Sequence, residues 1–177
     1  AILVLSLFSL TLAPAPQGHD GHGAVASTSV GPARRAFDRF RSLAGEWSAT
    51  STKGWTERLS YRTIAAGSTV IEMSDGAHPD EIMATMFHMD GERLLLTHYC
   101  VAGNQPRLEA TGFADDGRTV TFTFVDGTNM QSRDTGHMDT VVFKFLDDGR
   151  LVSQWTWYQQ GTSRWMEEVT ATRVTKR

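Results

Sequence analysis

From Trp47 onward, apolar and polar residues alternate with a period of two, and short breaks interrupt the pattern. The runs are EWSAT, WTERLSYRTI, STVIEMS, EIMATMFHM, RLLLTHYC, RLEATGF, TVTFTFV, HMDTVVFKFL, RLVSQWTWYQ and SRWMEEVTATRV. Threonine, valine, phenylalanine and tryptophan recur in them, and a half-buried pleated strand favours such side chains. The breaks carry turn chemistry. Asp90-Gly91, Asp116-Gly117, Asp126-Gly127 and Asp148-Gly149 are Asp-Gly pairs, and Lys53-Gly54, Ala66-Gly67 and Gln160-Gly161 are similar. Glycine supplies the backbone freedom that tight hairpin turns need. Consecutive hairpins place sequence neighbours side by side in one antiparallel sheet. About ten such strands in an open sheet would leave two long unpaired edges, which closure into a barrel removes. No stretch after Gly45 reads as a crossover helix, so a parallel sheet is excluded. Before the strands, ARRAFDRFRSLAG (33–45) sets Phe37, Phe40 and Ala44 at helical spacing between Pro32 and Gly45, the pattern of a short amphipathic helix with its start and stop residues. The expected fold is all-β: an antiparallel up-and-down β-barrel of about ten strands with a short N-terminal helix.

The same alternation predicts which side chains face the interior. His137, Asp139, Val141, Phe143 and Phe145 share a face opposite Thr140 and Lys144. Phe122 and Phe124 point in, with Thr121 and Thr123 out. Leu151, Ser153, Trp155 and Trp157 share a face, and so do Trp165, Glu167, Val169 and Ala171. Leu94, Leu96, His98 and Cys100 are assigned inward because Arg93 and Thr97 suit solvent better. A one-residue change of register would reverse any of these assignments.

Positions 1–13, AILVLSLFSLTLA, are almost wholly apolar. The run is too short to span a bilayer and matches the apolar region of a secretory signal, with small-residue cleavage options near Ala13 and Ala15. Residues 1–15 therefore read as a signal peptide cut short at its start. Residues 16–32, rich in Pro, Gly, Ala and Ser, read as a flexible linker, and 33–177 as the barrel domain. This predicts a secreted or periplasmic protein whose mature form has no stable membrane span. The net charge of −3 speaks against nucleic acid as a partner, because phosphate binding needs a basic surface. The single cysteine, Cys100, excludes an internal disulfide and a multi-cysteine metal site.

The densest polar cluster is His98, Tyr99, Asn104, Gln105, Arg107 and His137, with Glu167 or Glu72 as acidic partners. In a barrel, the loop GNQPR would sit at one rim with His98 just inside it. A cavity with apolar walls and a few converging polar groups is the usual form of a small-molecule site. Phe122, Phe124, Phe143, Trp155, Trp157 and Met83 could supply the walls. Arg107 could hold a carboxylate, and the two amides could orient a carbonyl or hydroxyl. Each member also has a plainer reading: Gly103, Asn104 and Pro106 are turn formers, His98 can be a satisfied core histidine, and the tryptophans can be packing. No catalytic motif is present, and His98 and Cys100 stand about 7 Å apart along one strand face, so an enzyme reading stays open but undirected. A metal site built on His98 and His137 lacks a spacing signature.

The run LAGEW (43–47), following a short helix and opening the first strand, resembles the Gly-x-Trp signature of the lipocalin and calycin barrels. That resemblance implies that Trp47 closes the barrel base beneath a basic residue from near the last strand. Arg173, in TATRV, stands where that residue would fall. MFHMDGERLLLTHYC, GNQPR, GHM and WTWY resemble exported bacterial lipocalin-like proteins, and more distantly the nitrobindin-like haem barrels. In the latter a late histidine ligates haem iron, which would make His137 the counterpart. The expectation is an exported binding protein for a small apolar or amphipathic molecule in the barrel interior. Its ligand-contacting candidates are His98, Asn104, Gln105, Arg107, His137, Phe143, Trp155 and Trp157. The alternatives are a haem- or metal-binding barrel with His98 or His137 as ligand, and a solid-core structural or interaction domain.

Overall fold

The computed structural model describes residues 30–78 and 81–175. The leader-like run and most of the linker lie outside the described residues. One helix, α1 (Pro32–Ser42), precedes ten strands: β1 (Gly45–Ser51), β2 (Thr56–Ile64), β3 (Thr69–His78), β4 (Glu81–Asp90), β5 (Arg93–Tyr99), β6 (Gln105–Ala114), β7 (Thr119–Thr128), β8 (His137–Phe145), β9 (Leu151–Gln159) and β10 (Thr162–Arg173). Each strand pairs antiparallel with its sequence neighbour, and β1 pairs with β10, so the sheet closes into an up-and-down barrel. The fold is the one the alternation predicts. Among the described residues no helix is long and apolar enough to cross a membrane.

The interior divides into two halves. Helix α1 begins with Pro32 at its first turn, where a missing N–H costs nothing, and buries Ala33, Ala36, Phe37 and Phe40. Leu43, rather than the expected Ala44, completes the buried stripe. The helix lies against the β4–β6 side of one barrel end and the turn at Asp115–Gly117. There Phe40 stacks on Phe87 at 4.3 Å between ring centres and meets Phe143 and Phe145 edge-on at 5.1 and 5.2 Å. Phe122 joins the cluster at 6.0 Å. Such pairs add about 1 kcal/mol each beyond the area they bury. Phe122 and Phe143, expected as cavity walls, are instead parts of a solid aromatic block that seals the helix end.

At the same end, Trp47 and Arg173 are register partners across β1 and β10. The guanidinium carbon of Arg173 stands 4.5 Å from the centre of the Trp47 ring. Its Nη1 and Nη2 donate to Ala44 O at 2.7 Å and Ser42 O at 2.9 Å, and Trp47 Nε1 donates to Leu43 O at 2.9 Å. The exposed carbonyls at the end of α1 are thus capped by a cation, the sign that a helix C-terminus favours. Gly45 is required here: its φ is +134°, and a Cβ would stand 2.8 Å from Arg173 Nη1.

Bulges change several facing assignments. Between Met138 and Thr140 the β8–β9 register shifts, so Met138 pairs with Trp157 and faces inward. His137 pairs with Tyr158 instead and leaves the face that it and Asp139 were expected to share with Val141. A second shift between Trp165 and Glu167 on β10 puts Trp165 outside, 60% exposed, while Glu167, Val169 and Ala171 stay inward. The pair Asp126-Gly127 is strand, not turn. Gly127 is small because β6 passes close, with Pro106 Cα 3.2 Å from where a Cβ would be. GNQPR is turn only through Asn104, since Gln105, Pro106 and Arg107 open β6.

Candidate functional site

The rest of the interior, from Leu151 and Ala171 down to the β1–β2 and β3–β4 turns (the loop end), is lined differently. On β2, Glu57, Leu59 and Tyr61 share the inward phase; on β3, Val70, Glu72 and Ser74 do; on β10, Glu167, Val169 and Ala171 do. His98 arrives from β5 and Trp155 from β9. Together with Met83 and Met138 they enclose a cavity of about 40 Å³. A single water needs about 10–15 Å³ of such space, so the void takes a few waters or one small head group. No Lys or Arg stands among the described residues that line it.

Three buried acids in one barrel half need partners, because an unpaired buried charge is costly. Glu72 accepts from the Tyr61 hydroxyl and, at 3.5 Å, from Thr85 Oγ1. Glu167 accepts from Ser51 Oγ at 2.5 Å, and Glu57 accepts from Ser74 Oγ. For Glu72 and Glu167 the donors are hydroxyls, which bring hydrogen bonds without compensating charge. Burial accordingly pushes the Glu72 carboxyl up from 4.5 to about 7, against the lowering effect of the Tyr61 bond. The Tyr61 phenol is driven well above its usual value by burial and by the neighbouring Glu72.

His98 is 5% exposed. Its Nδ1 lies 3.0 Å from Thr85 Oγ1, and its ring leans on Trp155 at 5.1 Å. Thr85 has one hydroxyl proton. Given to Glu72, it leaves the Thr85 lone pairs to accept from Nδ1–H, so the bond network assigns the proton to Nδ1. Nε2, on the opposite edge of the ring, is buried with no partner among the described residues. Burial lowers the His98 pKa from 6.5 to about 4, so the ring is neutral and Nε2 is an acceptor.

The other candidates lie elsewhere. Asn104 is buried beneath the rim, where its Nδ2 donates to Gly136 O at 2.8 Å and its Oδ1 has no partner among the described residues. Gln105 Oε1 accepts from Thr128 Oγ1 at 2.6 Å. Arg107 forms a two-pronged pair with Asp126, both half exposed on the outer wall. Phe143 belongs to the aromatic block. Trp157 is half-buried at the rim, over Gly136. His137 is fully buried, with Nδ1 donating to Thr135 O at 2.5 Å and Nε2 accepting from Arg133. Arg133 also pairs with Asp139 and lies between Phe124 and Tyr158, 4.4 and 3.8 Å from their ring centres. Burial, with Arg133 adding to it, lowers the His137 pKa. Cys100 lies just past β5, and burial raises its thiol pKa, the wrong direction for an activated nucleophile.

Haem does not fit this arrangement. A void of about 40 Å³ has no space for a porphyrin beside His98, and both nitrogens of His137 are engaged. Among the described residues no three His, Cys, Asp or Glu side chains converge on a point that could hold a metal ion.

Glu57, Tyr61 and Ser74 carry no role in the sequence reading, although each falls on the apolar phase of its strand, and Ser153 is read there only as an inward neighbour of Leu151 and Trp155. A polar residue on that phase is the signal that would have found them.

Among solved structures, one described as the crystal structure of Rv2717c from M. tuberculosis is similar to this chain, with a TM-score of 0.48 and 13% identity, over 80% of this chain and 98% of that one. No family model matches the chain, and no curated protein matches it.

Proposed function

We propose that the chain is an exported binding protein that holds a small amphipathic molecule in the loop-end half of its barrel. The observation that carries this reading is the cavity itself: apolar wall from Leu59, Met83, Met138, Leu151 and Trp155, and polar groups from β2, β3, β5 and β10. A barrel meant only to be solid would fill this half as it fills the other, with aromatic side chains. The apolar run at 1–13 supports export.

Ala171 lines the cavity and is 1% exposed. Ala171→Leu would fill the void at a cost of about 1–3 kcal/mol in overpacking. Native mass spectrometry of the chain mixed with small amphipathic molecules is the test. Adducts on the unaltered chain that vanish in Ala171→Leu support the reading. Adducts equal on both chains overturn it.

A further inference from the structure

The barrel closes, but one seam lacks a full ladder. The β7–β8 pairing runs from Thr119–Lys144 to Thr123–Thr140 and stops there. Beyond it, the ladder partners of residues 124–128 are all on β6, and those of His137 and Met138 are on β9. The other short ladder, β5–β6, parts at the helix end, where α1 packs on both strands. At the β7–β8 seam, side chains take the place of backbone bonds. The Phe124 ring lies against the His137 ring at 4.4 Å. Arg133, from the turn between the strands, lies between the Phe124 and Tyr158 rings, so one cation spans β7 and β9. Its guanidinium donates to His137 Nε2 and to Asp139 Oδ1 on β8. Met138, between those two residues, also lines the cavity.

Arg133 and His137 compete for one carboxylate oxygen. Asp139 Oδ1 accepts from Arg133 and lies 3.8 Å from His137 Nε2. Arg133 holds both residues only while Nε2 keeps its lone pair, since a protonated imidazole has no acceptor. A proton on Nε2 sets two cations side by side where His137 is fully buried, and a buried charge without its own partner is costly. His137 is fixed in place, with Nδ1 donating to Thr135 O at 2.5 Å. Arg133, with 43% of its side chain exposed, is free to move into solvent. We infer that the β7–β8 seam is an acid-sensitive opening in the barrel wall: protonated His137 takes Asp139, Arg133 swings out from between Phe124 and Tyr158, and solvent reaches Met138 and the cavity. The groups facing His137 are Thr135 and Arg133 from the turn, Asp139 from its own strand, Phe124 from β7 and Tyr158 from β9, whose hydroxyl donates to Asp134. Burial holds the His137 pKa below 6.5, assisted by Arg133 and opposed by Thr135 O and Asp139, so the exchange falls on the acid side of that value. The opening is a property of the guest-free chain, beyond the binding reading above.

The test follows the methionine methyl resonances of the guest-free chain between about pH 7.5 and 4.5, with a neutral nitroxide in the solvent. The nitroxide broadens methyls that solvent reaches, and Met138→Leu gives the assignment. Met138 broadening is expected to rise about threefold toward acid, with a midpoint that coincides with titration of the His137 ring. Met89, beside the start of α1, should show no change, which separates seam opening from unfolding. Glu72 titrates in the same window, so a variant must assign the response. His137→Gln can donate to Thr135 O and accept from Arg133 but takes up no proton, and should leave Met138 protected throughout. Arg133→Ala should leave Met138 exposed at both ends of the range. Met138 broadening that ignores pH in the unaltered chain, that still rises in His137→Gln, or that rises in step with Met89 overturns the inference. A Met138 that stays protected in Arg133→Ala does the same. The pH comparison uses the unaltered chain, so it decides even if a variant fails to fold. Guest binding is read separately by the adduct assay, and either result can fail without the other.

Discussion

His98 and Glu72 are joined through one hydroxyl: Thr85 Oγ1 lies 3.0 Å from His98 Nδ1 and 3.5 Å from Glu72 Oε1. The link couples two buried groups that burial shifts in opposite directions, Glu72 up from 4.5 to about 7 and His98 down from 6.5 to about 4. Glu72 also faces Tyr61 and Glu57 from β2, and the other face of His98 meets Trp155.

The opposed shifts predict cancelling pH dependences. Native Glu72 keeps a proton that the unfolded chain loses, so its contribution to stability falls as pH rises from 4.5 to about 7. Native His98 lacks a proton that the unfolded chain carries, so its contribution grows from about pH 4 to 6.5. Each amounts to about 3 kcal/mol. Urea unfolding of Glu72→Gln across this range should show stability rising with pH relative to the unaltered chain, and His98→Gln should show it falling. Comparing the variants with the unaltered chain removes the background from other groups. Parallel profiles for all three chains would contradict the coupling.

Arg173 over Trp47 predicts a second outcome. Arg173→Met keeps much of the stem but loses the cation over the ring and both bonds to the carbonyls at the end of α1. The expected cost is about 2 kcal/mol, read as a lowered urea midpoint at constant m. Lysine should recover only part of this, since it cannot span two carbonyls in a fixed fork.

Phe40 anchors the aromatic block and is fully buried. Phe40→Ala should cost about 3–5 kcal/mol in the same assay. It should leave the loop-end cavity intact, because none of the residues lining that cavity belongs to α1. An equally large loss of guest binding would show that the two halves are not separate.

Alternation and Asp-Gly turns made the barrel legible from sequence, since a pleat of period two and hairpin chemistry are local. The bulges at Met138/Thr140 and Trp165/Glu167 were not, because one extra residue in a strand leaves no compositional mark and yet shifts His137, Asp139 and Trp165 off the expected face. The helix was legible but its destination was not: nothing local says that Phe40 will stack on Phe87 inside the barrel. The polar run THYCVAGNQPR marks His98, and the structure sets Gln105 and Arg107 on the outer wall once β6 begins. Glu57 and Tyr61 were legible in principle, as polar residues on the phase of Leu59, but charge beside arginine in WTERLSYR reads first as a solvated face.

The central claim is that the loop-end cavity receives a guest. The most direct measurement is a map of backbone and ring chemical-shift changes when 1-butanol, a small amphipathic molecule, is added to the ¹⁵N-labelled chain. The account predicts changes concentrated at His98, Glu72, Trp155 and Met138, saturating together with one affinity. Changes confined to the outer wall around Gln105 and Arg107, with His98 and Trp155 unmoved at saturation, would contradict it.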